Sequence, residues 1–327
     1  MQKTSLTLTP WSKAELAQKS HSLGKVAVVM GGNSAERAVS LKSGAAVHQA
    51  LTSAGVDAFT IDLFGEHGDL NPLAQLTAQP IDLAFLILHG RGGEDGVVQG
   101  ALELLGIPYT GSGVAGSAFA MDKLRSKQLF CDSALATPPY ARLRSVEQLA
   151  AVADELGFPM MVKAAHEGSS IGMYKVDDPA ALQNAYRAAA EVDSCVIAEK
   201  WMRGGEYTVA ILGDVVLPVI KLETPHDFYD YDAKYQANDT RYLFDHGLND
   251  EEQLHVEQLS LEAFKVLGCK GWGRADLMQD ESGTFRLLEV NTAPGMTDHS
   301  LVPMAAAEAG LSFEQLVVTI ALLGRGA

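Results

Sequence analysis

At 327 residues, with 47% hydrophobic and 20% charged residues, the chain is long enough for two or three globular units, each with its own core. A net charge of −16 without a basic stripe excludes nucleic acid as the main partner, since phosphate backbones need clustered Lys and Arg. Cys131, Cys195 and Cys269 form no CxxC pair, the first 24 residues lack an apolar signal core, and no apolar run approaches the roughly 20 residues needed to span a bilayer, so a soluble, cytoplasmic chain with no membrane partner is expected.

Residues 1–24 read as an N-terminal extension. GKVAVVMGG (24–32) then predicts a buried strand, AVSLKSGAAVHQALTSAG (38–55) a helix, VDAFTIDL (56–63) and IDLAFLIL (81–88) further strands, and VVQGALELLG (97–106) a helix. Strand and helix alternating in this way predict a parallel, Rossmann-like α/β unit over 25–111. Its functional loops should follow the C-terminal ends of the strands, where Glu36, Arg37 and His89 lie. Charged residues capping helices are the plainer alternative.

From residue 112 the character changes to α+β. Helices are predicted over 114–133, 145–156 and 179–191; FPMMVKAAHEGSSIGMYKV (158–176) gives two strands around a Gly- and Ser-rich loop, and CVIAEKW (195–201) another strand. This smaller unit runs to 201. The last unit, 202–327, starts with a hairpin of EYTVAIL (206–212) and VVLPVIK (215–221) about Gly213-Asp214. A polar stretch without period, 224–244, follows, then a helix over 249–268, strands near 271–277 and 284–291, and a closing helix over 312–323.

Several residues stand where a plain core would not want them. RADLM (274–278) and LLEVN (287–291) have hairpin-like spacing that lets Asp276, Glu289 and Asn291 converge. Three oxygen donors without sulfur or imidazole suit Mg²⁺, which shares its shell with nucleotide phosphates; solvent-facing positions on an edge strand are the alternative. Lys163 ends the apolar run FPMMV, and Lys123 follows a small-residue helix turn. A lysine leading into HEGSSIG aims charge at phosphates that the loop's N–H groups and the hydroxyls of Ser169 and Ser170 could cradle, unless it is a snorkelling lysine beside an ordinary turn. This loop is not GxxxxGK[ST], and GGNSAER is not GxGxxG, so neither a P-loop nucleotidase nor a nicotinamide dehydrogenase is indicated. The end of CVIAEKW could offer a strand edge to a purine, with Glu206 on the ribose.

Seven stretches, GGNSAERAVSLKSG, HGRGGEDGVVQGALELLGIPYTGSG, MDKLRSK, EGSSIGM, FYDYDAKY, GWGRADLM and LLEVNTAPGMTDHSLVP, together resemble D-alanine–D-alanine ligases of the ATP-grasp superfamily, in register from about Lys25 to Leu323. The resemblance implies an ATP-grasp fold with ATP gripped between the central and C-terminal parts. It implies that Asp276, Glu289 and Asn291 hold Mg²⁺ or Mn²⁺, and that Lys123, Lys163 and Lys234 contact the phosphates, with Ser169 and Ser170. Glu199 and the backbones of Lys200, Trp201 and Met202 would receive adenine, and Glu206 the ribose. Glu36, with His89, would position the ammonium of the first D-alanine; Ser300 and Leu301 would take the carboxylate of the second; Arg274 and the Gly295 N–H would form an oxyanion hole.

Similar enzymes tie a lid down through a Tyr–Ser–Glu contact, here Tyr235, Ser169 and Glu36, with 224–244 as the lid. A tyrosine at that position goes with D-alanine, rather than D-lactate, as second substrate. The implied reaction makes D-alanyl-D-alanine through an acyl phosphate, for peptidoglycan precursors, in a homodimer. Ala38, Asn33, Ala164 and Asp298 depart from the usual pattern, and Asp298 lies close to the second substrate's place. Other acceptors, and a nucleotide-binding regulator without catalysis, are the competing readings; the second would require a lost metal ligand or Arg274, and all are retained.

Overall fold

The computed structural model describes residues 9–225, 240–297 and 299–326. Three sheets organise them. The first is parallel, with β1 (Lys25–Gly31) between β2 (Asp57–Leu63) and β3 (Leu83–Leu86). The runs VAVV and LAFL are buried because helices cover both faces of the sheet. The Ser40 hydroxyl, on the helix Arg37–Ser53, locks this unit by accepting from Gly31 N–H and donating to the Ile87 carbonyl.

The second sheet is antiparallel, in the order β4 (Tyr140–Leu143), β7 (Val196–Lys200), β5 (Met160–Ala164), β6 (Met173–Val176). The short β4 carries no alternation long enough to announce it. β7 is therefore an inner strand rather than the open edge expected at CVIAEKW. Helices Leu149–Leu156 and Pro179–Val192 cover one face; Asp178 caps the second by accepting from Ala180 and Ala181 N–H.

The third sheet runs β11 (Arg241–Leu243), β10 (Ile220–Glu223), β8 (Glu206–Leu212), β12 (Trp272–Gln279), β13 (Phe285–Asn291), with β9 (Val215–Val216) also paired to β8. The hairpin about Gly213-Asp214 forms, but its return strand is split into β9 and β10 around Pro218, whose missing N–H interrupts the ladder. β11 falls within the stretch that reads as aperiodic.

Three further differences have local causes. The helix predicted over 114–133 is two, Val114–Met121 and Lys123–Asp132, because Asp122 ends one and caps the other by accepting from Arg125 N–H. These helices place Ala120 and Phe130 in the core under the third sheet, although the sequence division groups them with the central unit. Nor does each unit keep a private core: Val28 and Phe85 of the first sheet share one with Trp272, Met296 and Val317. The extension contains a helix, Lys13–His21, with Ser12 and Glu15 forming a capping box. Trp11 N–H donates to Gln315 Oε1, which ties the extension to the closing helix Phe313–Gly324.

Candidate active site

Two cavities meet where the three sheets converge. The larger, about 780 Å³, lies between the second and third sheets. The smaller, about 490 Å³, opens between the helix Arg37–Ser53, His89 and the turn after β13. Lys123, Ser169, Arg274 and Glu289 belong to the walls of both. Whatever occupies one cavity touches the same partition as whatever occupies the other.

The oxygen cluster forms as expected. Asp276 on β12 stands opposite Glu289 on β13, and Arg274 opposite Asn291. The register shifts between Asp276 and Leu277, so that Leu288 and Glu289 both line the larger cavity. Asn291 Nδ2 donates to Asp276 Oδ2 (2.9 Å), Thr208 Oγ1 to Asp276 Oδ1 (2.6 Å), and Arg274 forks onto both Asp276 oxygens (2.8 and 2.7 Å). Lys123 Nζ lies 3.2 Å from Glu289 Oε2. Two carboxylates and an amide from neighbouring strands, with no sulfur or imidazole, fit a hard divalent cation.

Lysines face this cluster. Lys123 is the first residue of its helix, where the helix dipole disfavours a cation, so an external reason must hold it there. It donates to the Glu167 carbonyl (2.7 Å). Burial works against its charge, but Glu289 and the more distant Glu199 and Glu36 outweigh burial and raise its pKa. Lys163, on β5, lies 2.8 Å from Glu199 Oε2. Glu199, assigned to adenine from the sequence, thus has its carboxylate engaged by lysines. Lys200 and Trp201 N–H already donate to the Pro139 and Pro159 carbonyls, so a purine would meet the Met202 N–H. Met161, Trp201, Met278 and Leu288 give that end of the cleft flat apolar walls, and Glu206 lies at its rim on β8.

The Gly-Ser loop between β5 and β6 holds Ser169 and Ser170 at φ of 48° and 63°, a left-handed conformation rare for residues other than Gly, Asn and Asp. There the Ser169 hydroxyl donates to Glu36 Oε1. Glu36 occupies the N-cap position of its helix without capping it, and its carboxylate turns toward the loop instead. Two glycines make room: a Cβ on Gly168 would lie 2.5 Å, and one on Gly90 2.8 Å, from Glu36 Oε2. The Ser–Glu half of the expected three-residue contact is therefore present. Tyr235 and Lys234, and with them most of the 224–244 lid, lie outside the described residues, as does Asp298.

His89 lines the smaller cavity, buried, with Nε2 lacking a hydrogen-bond partner among the described residues. Burial, aided by the nearby Arg274 charge, pushes its pKa down to about 4, so the ring is a neutral acceptor or donor. Beside it sits Glu94, which the sequence reading passed over. Its oxygens accept from Gly90 N–H (2.7 Å) and Ala293 N–H (3.4 Å), and burial together with Glu36 pushes it up to about 8. The acidic tail of HGRGGEDG was its only signal.

Ser300 and Leu301 form the N-terminus of a helix, Leu301–Glu308, absent from the sequence reading because Pro303 suggests a break. Proline is tolerated in a first helical turn, and a helix N-terminus offers N–H groups to an anion. Ser300 Oγ accepts from Thr297 N–H (2.9 Å), and a Cβ on the adjoining Gly295 would lie 3.0 Å from that same oxygen.

Residues 130–321 match the family described as D-ala D-ala ligase C-terminus, and 65–112 its N-terminal counterpart. The chain belongs to the D-alanine–D-alanine ligase family. A family member from Pseudomonas entomophila (strain L48) is 59% identical over 297 residues, 91% of this chain and 92% of the relative. Among solved structures, the D-alanine–D-alanine ligase of Bacillus anthracis superposes with a TM-score of 0.82 at 36% identity, covering 93% of this chain and 98% of that one. The VanG D-Ala:D-Ser ligase of Enterococcus faecalis superposes at 0.80 with 30% identity, covering 92% and 99%. The ATP-grasp fold of these ligases is the architecture of this chain. No single helix among the described residues is long and apolar enough to cross a membrane.

Proposed function

We infer that this enzyme joins two molecules of D-alanine into D-alanyl-D-alanine, cleaving ATP to ADP and phosphate through an acyl phosphate, to supply peptidoglycan precursors. The partition shared by the two cavities carries the reading, because a phosphoryl group must pass between a nucleotide and an amino acid that meet at one wall. Relatives 57–59% identical over nine-tenths of the chain support D-alanine as both substrates.

The first D-alanine lies in the smaller cavity, its ammonium on Glu36 with neutral His89 beside it. Its carboxylate oxygen attacks the γ-phosphorus of ATP, and ADP leaves. Lys123 and Lys163 hold the phosphates, and the Gly168–Ser170 backbone covers them, so that positioning and charge lower the barrier. The cluster of Asp276, Glu289 and Asn291 would hold Mg²⁺ or Mn²⁺, which when bound neutralises phosphate oxygens. The amine of the second D-alanine, its carboxylate at the Ser300–Leu301 helix N-terminus, attacks the acyl carbon. Arg274 and the Gly295 N–H stabilise the oxyanion, and phosphate leaves as the C–N bond forms. The reactants lie between the three parts that the sequence suggests, 25–111, 112–201 and 202–327. The protein works as a homodimer in the cytoplasm, where its ATP is.

The likeness to a D-Ala:D-Ser ligase makes the acceptor the point to test. Incubation with ATP, Mg²⁺ and D-alanine should yield the dipeptide by mass, with ADP release in step. Equal product from L-alanine, or preference for D-serine or D-lactate as acceptor, would overturn the assignment.

A further inference from the structure

Under the nucleotide cleft, two lysines converge on one glutamate. Glu199 Oε2 lies 2.8 Å from Lys163 Nζ, and Oε1 lies 3.1 Å from Lys127 Nζ. The three residues are 2%, 6% and 0% exposed in that order. Lys163 lines the larger cavity, whereas Lys127 is fully buried behind it and lines neither of the two.

Lys127 is nonetheless held with care. It sits one helical turn beyond Lys123 on the same helix face, over the face of the second sheet that carries Tyr140, Met161, Lys163 and Glu199. Its ammonium donates to Thr137 Oγ1 (2.8 Å), which donates to the Leu287 carbonyl (2.8 Å) on β13. It also lies 5.9 Å from the Tyr140 ring centre. Burial and Lys163 act against its charge, so its pKa is lowered even though Glu199 supports it. Glu199 in turn is held below the usual carboxylate range, because Lys127 and Lys163 outweigh burial.

A pair of Lys163 and Glu199 alone would be neutral. With Lys127 the triad carries one positive charge in excess, in a place almost without water, which is unfavourable until an anion arrives. We propose that Lys127 is a positioning residue for phosphate binding: it takes up the charge of Glu199, so that Lys163 presents an uncompensated ammonium to the nucleotide's phosphates. This rests on the ATP-binding role given above.

The test compares the affinities of the full-length protein for ATP and for adenosine, by calorimetry at fixed saturating Mg²⁺, in Lys127→Met, Glu199→Gln and the double variant. Lys127→Met makes the triad neutral. It should weaken ATP by about tenfold or more while adenosine binding holds, since one charge acting across a few ångströms of protein is worth that much. The double variant restores the single excess charge and should recover most of the ATP-to-adenosine ratio, a rescue that a purely structural lysine would not show. Should Lys127→Met not fold, Lys127→Gln, whose amide can still donate to Thr137, carries the same prediction. An unchanged ratio in the single variant, or no recovery in the double, overturns the proposal. A wild-type protein that binds no ATP overturns the ligase reading instead.

Discussion

Ser169 reaches out of the central sheet to donate a hydrogen bond to Glu36 at the head of the first long helix, joining parts of the chain 133 residues apart. The bond ties the wall shared by the two cavities to the lining of the smaller one. Its removal by Ser169→Ala should therefore lower kcat/KM for D-alanine by roughly 10- to 100-fold, the worth of a hydrogen bond to a charged acceptor. Stopped-flow ADP release would measure it, and wild-type rates would remove Ser169 from the mechanism.

Gly168 has no Cβ because Glu36 occupies the space one would need. Gly168→Ala should displace that carboxylate and raise KM for the first D-alanine by about tenfold, since small misplacements of a positioning group are costly. KM for ATP should rise less, since the atoms nearest to the added methyl group are those of Glu36. Saturation curves for both substrates on one preparation test this directly.

Glu289 belongs to the oxygen cluster and is paired with Lys123. Glu289→Gln should raise the Mg²⁺ concentration for half-maximal activity by about tenfold or more, as altered metal environments commonly do. An unaltered titration with Mg²⁺ and Mn²⁺ would take Glu289 out of the ligand set.

His89 is neutral in the folded protein, with a pKa pushed down to about 4, and burial is the main cause. The unfolded chain takes up a proton at His89 as pH drops below the ordinary 6.5, while the folded chain does not. Its contribution to stability is thus fully present above 6.5 and is lost as pH falls toward 4. The melting temperature of His89→Asn should fall less steeply over that window than wild type. Parallel curves would contradict the assignment.

Much of this site could be read from residue spacing. Asp276, Glu289 and Asn291 converge because two adjacent antiparallel strands fix which residues face each other, and that register follows from a short turn. Ser300 and Leu301 were matched by motif, yet the reason they suit a carboxylate, a helix beginning there, was hidden by Pro303. Lys127 was missed because a lysine one turn after another reads as a solvated helix face; only the second sheet, packed across that face, makes it a core residue. Glu94 was missed because its effect depends on Gly90 and Ala293, which are distant from each other in the chain. Local pattern reveals elements and their faces, while burial of charge arises from packing between elements.

The paired left-handed serines have an energetic meaning. Side chains in that conformation sit about 1 kcal/mol or more above their relaxed shape, and here Ser169 donates to Glu36 from it. The loop is therefore a strained element of the site. That strain sits in the wall that the two cavities share, since Ser169 lines both. Ser170→Gly would relieve the strain at its own position, because glycine adopts a positive φ without steric cost.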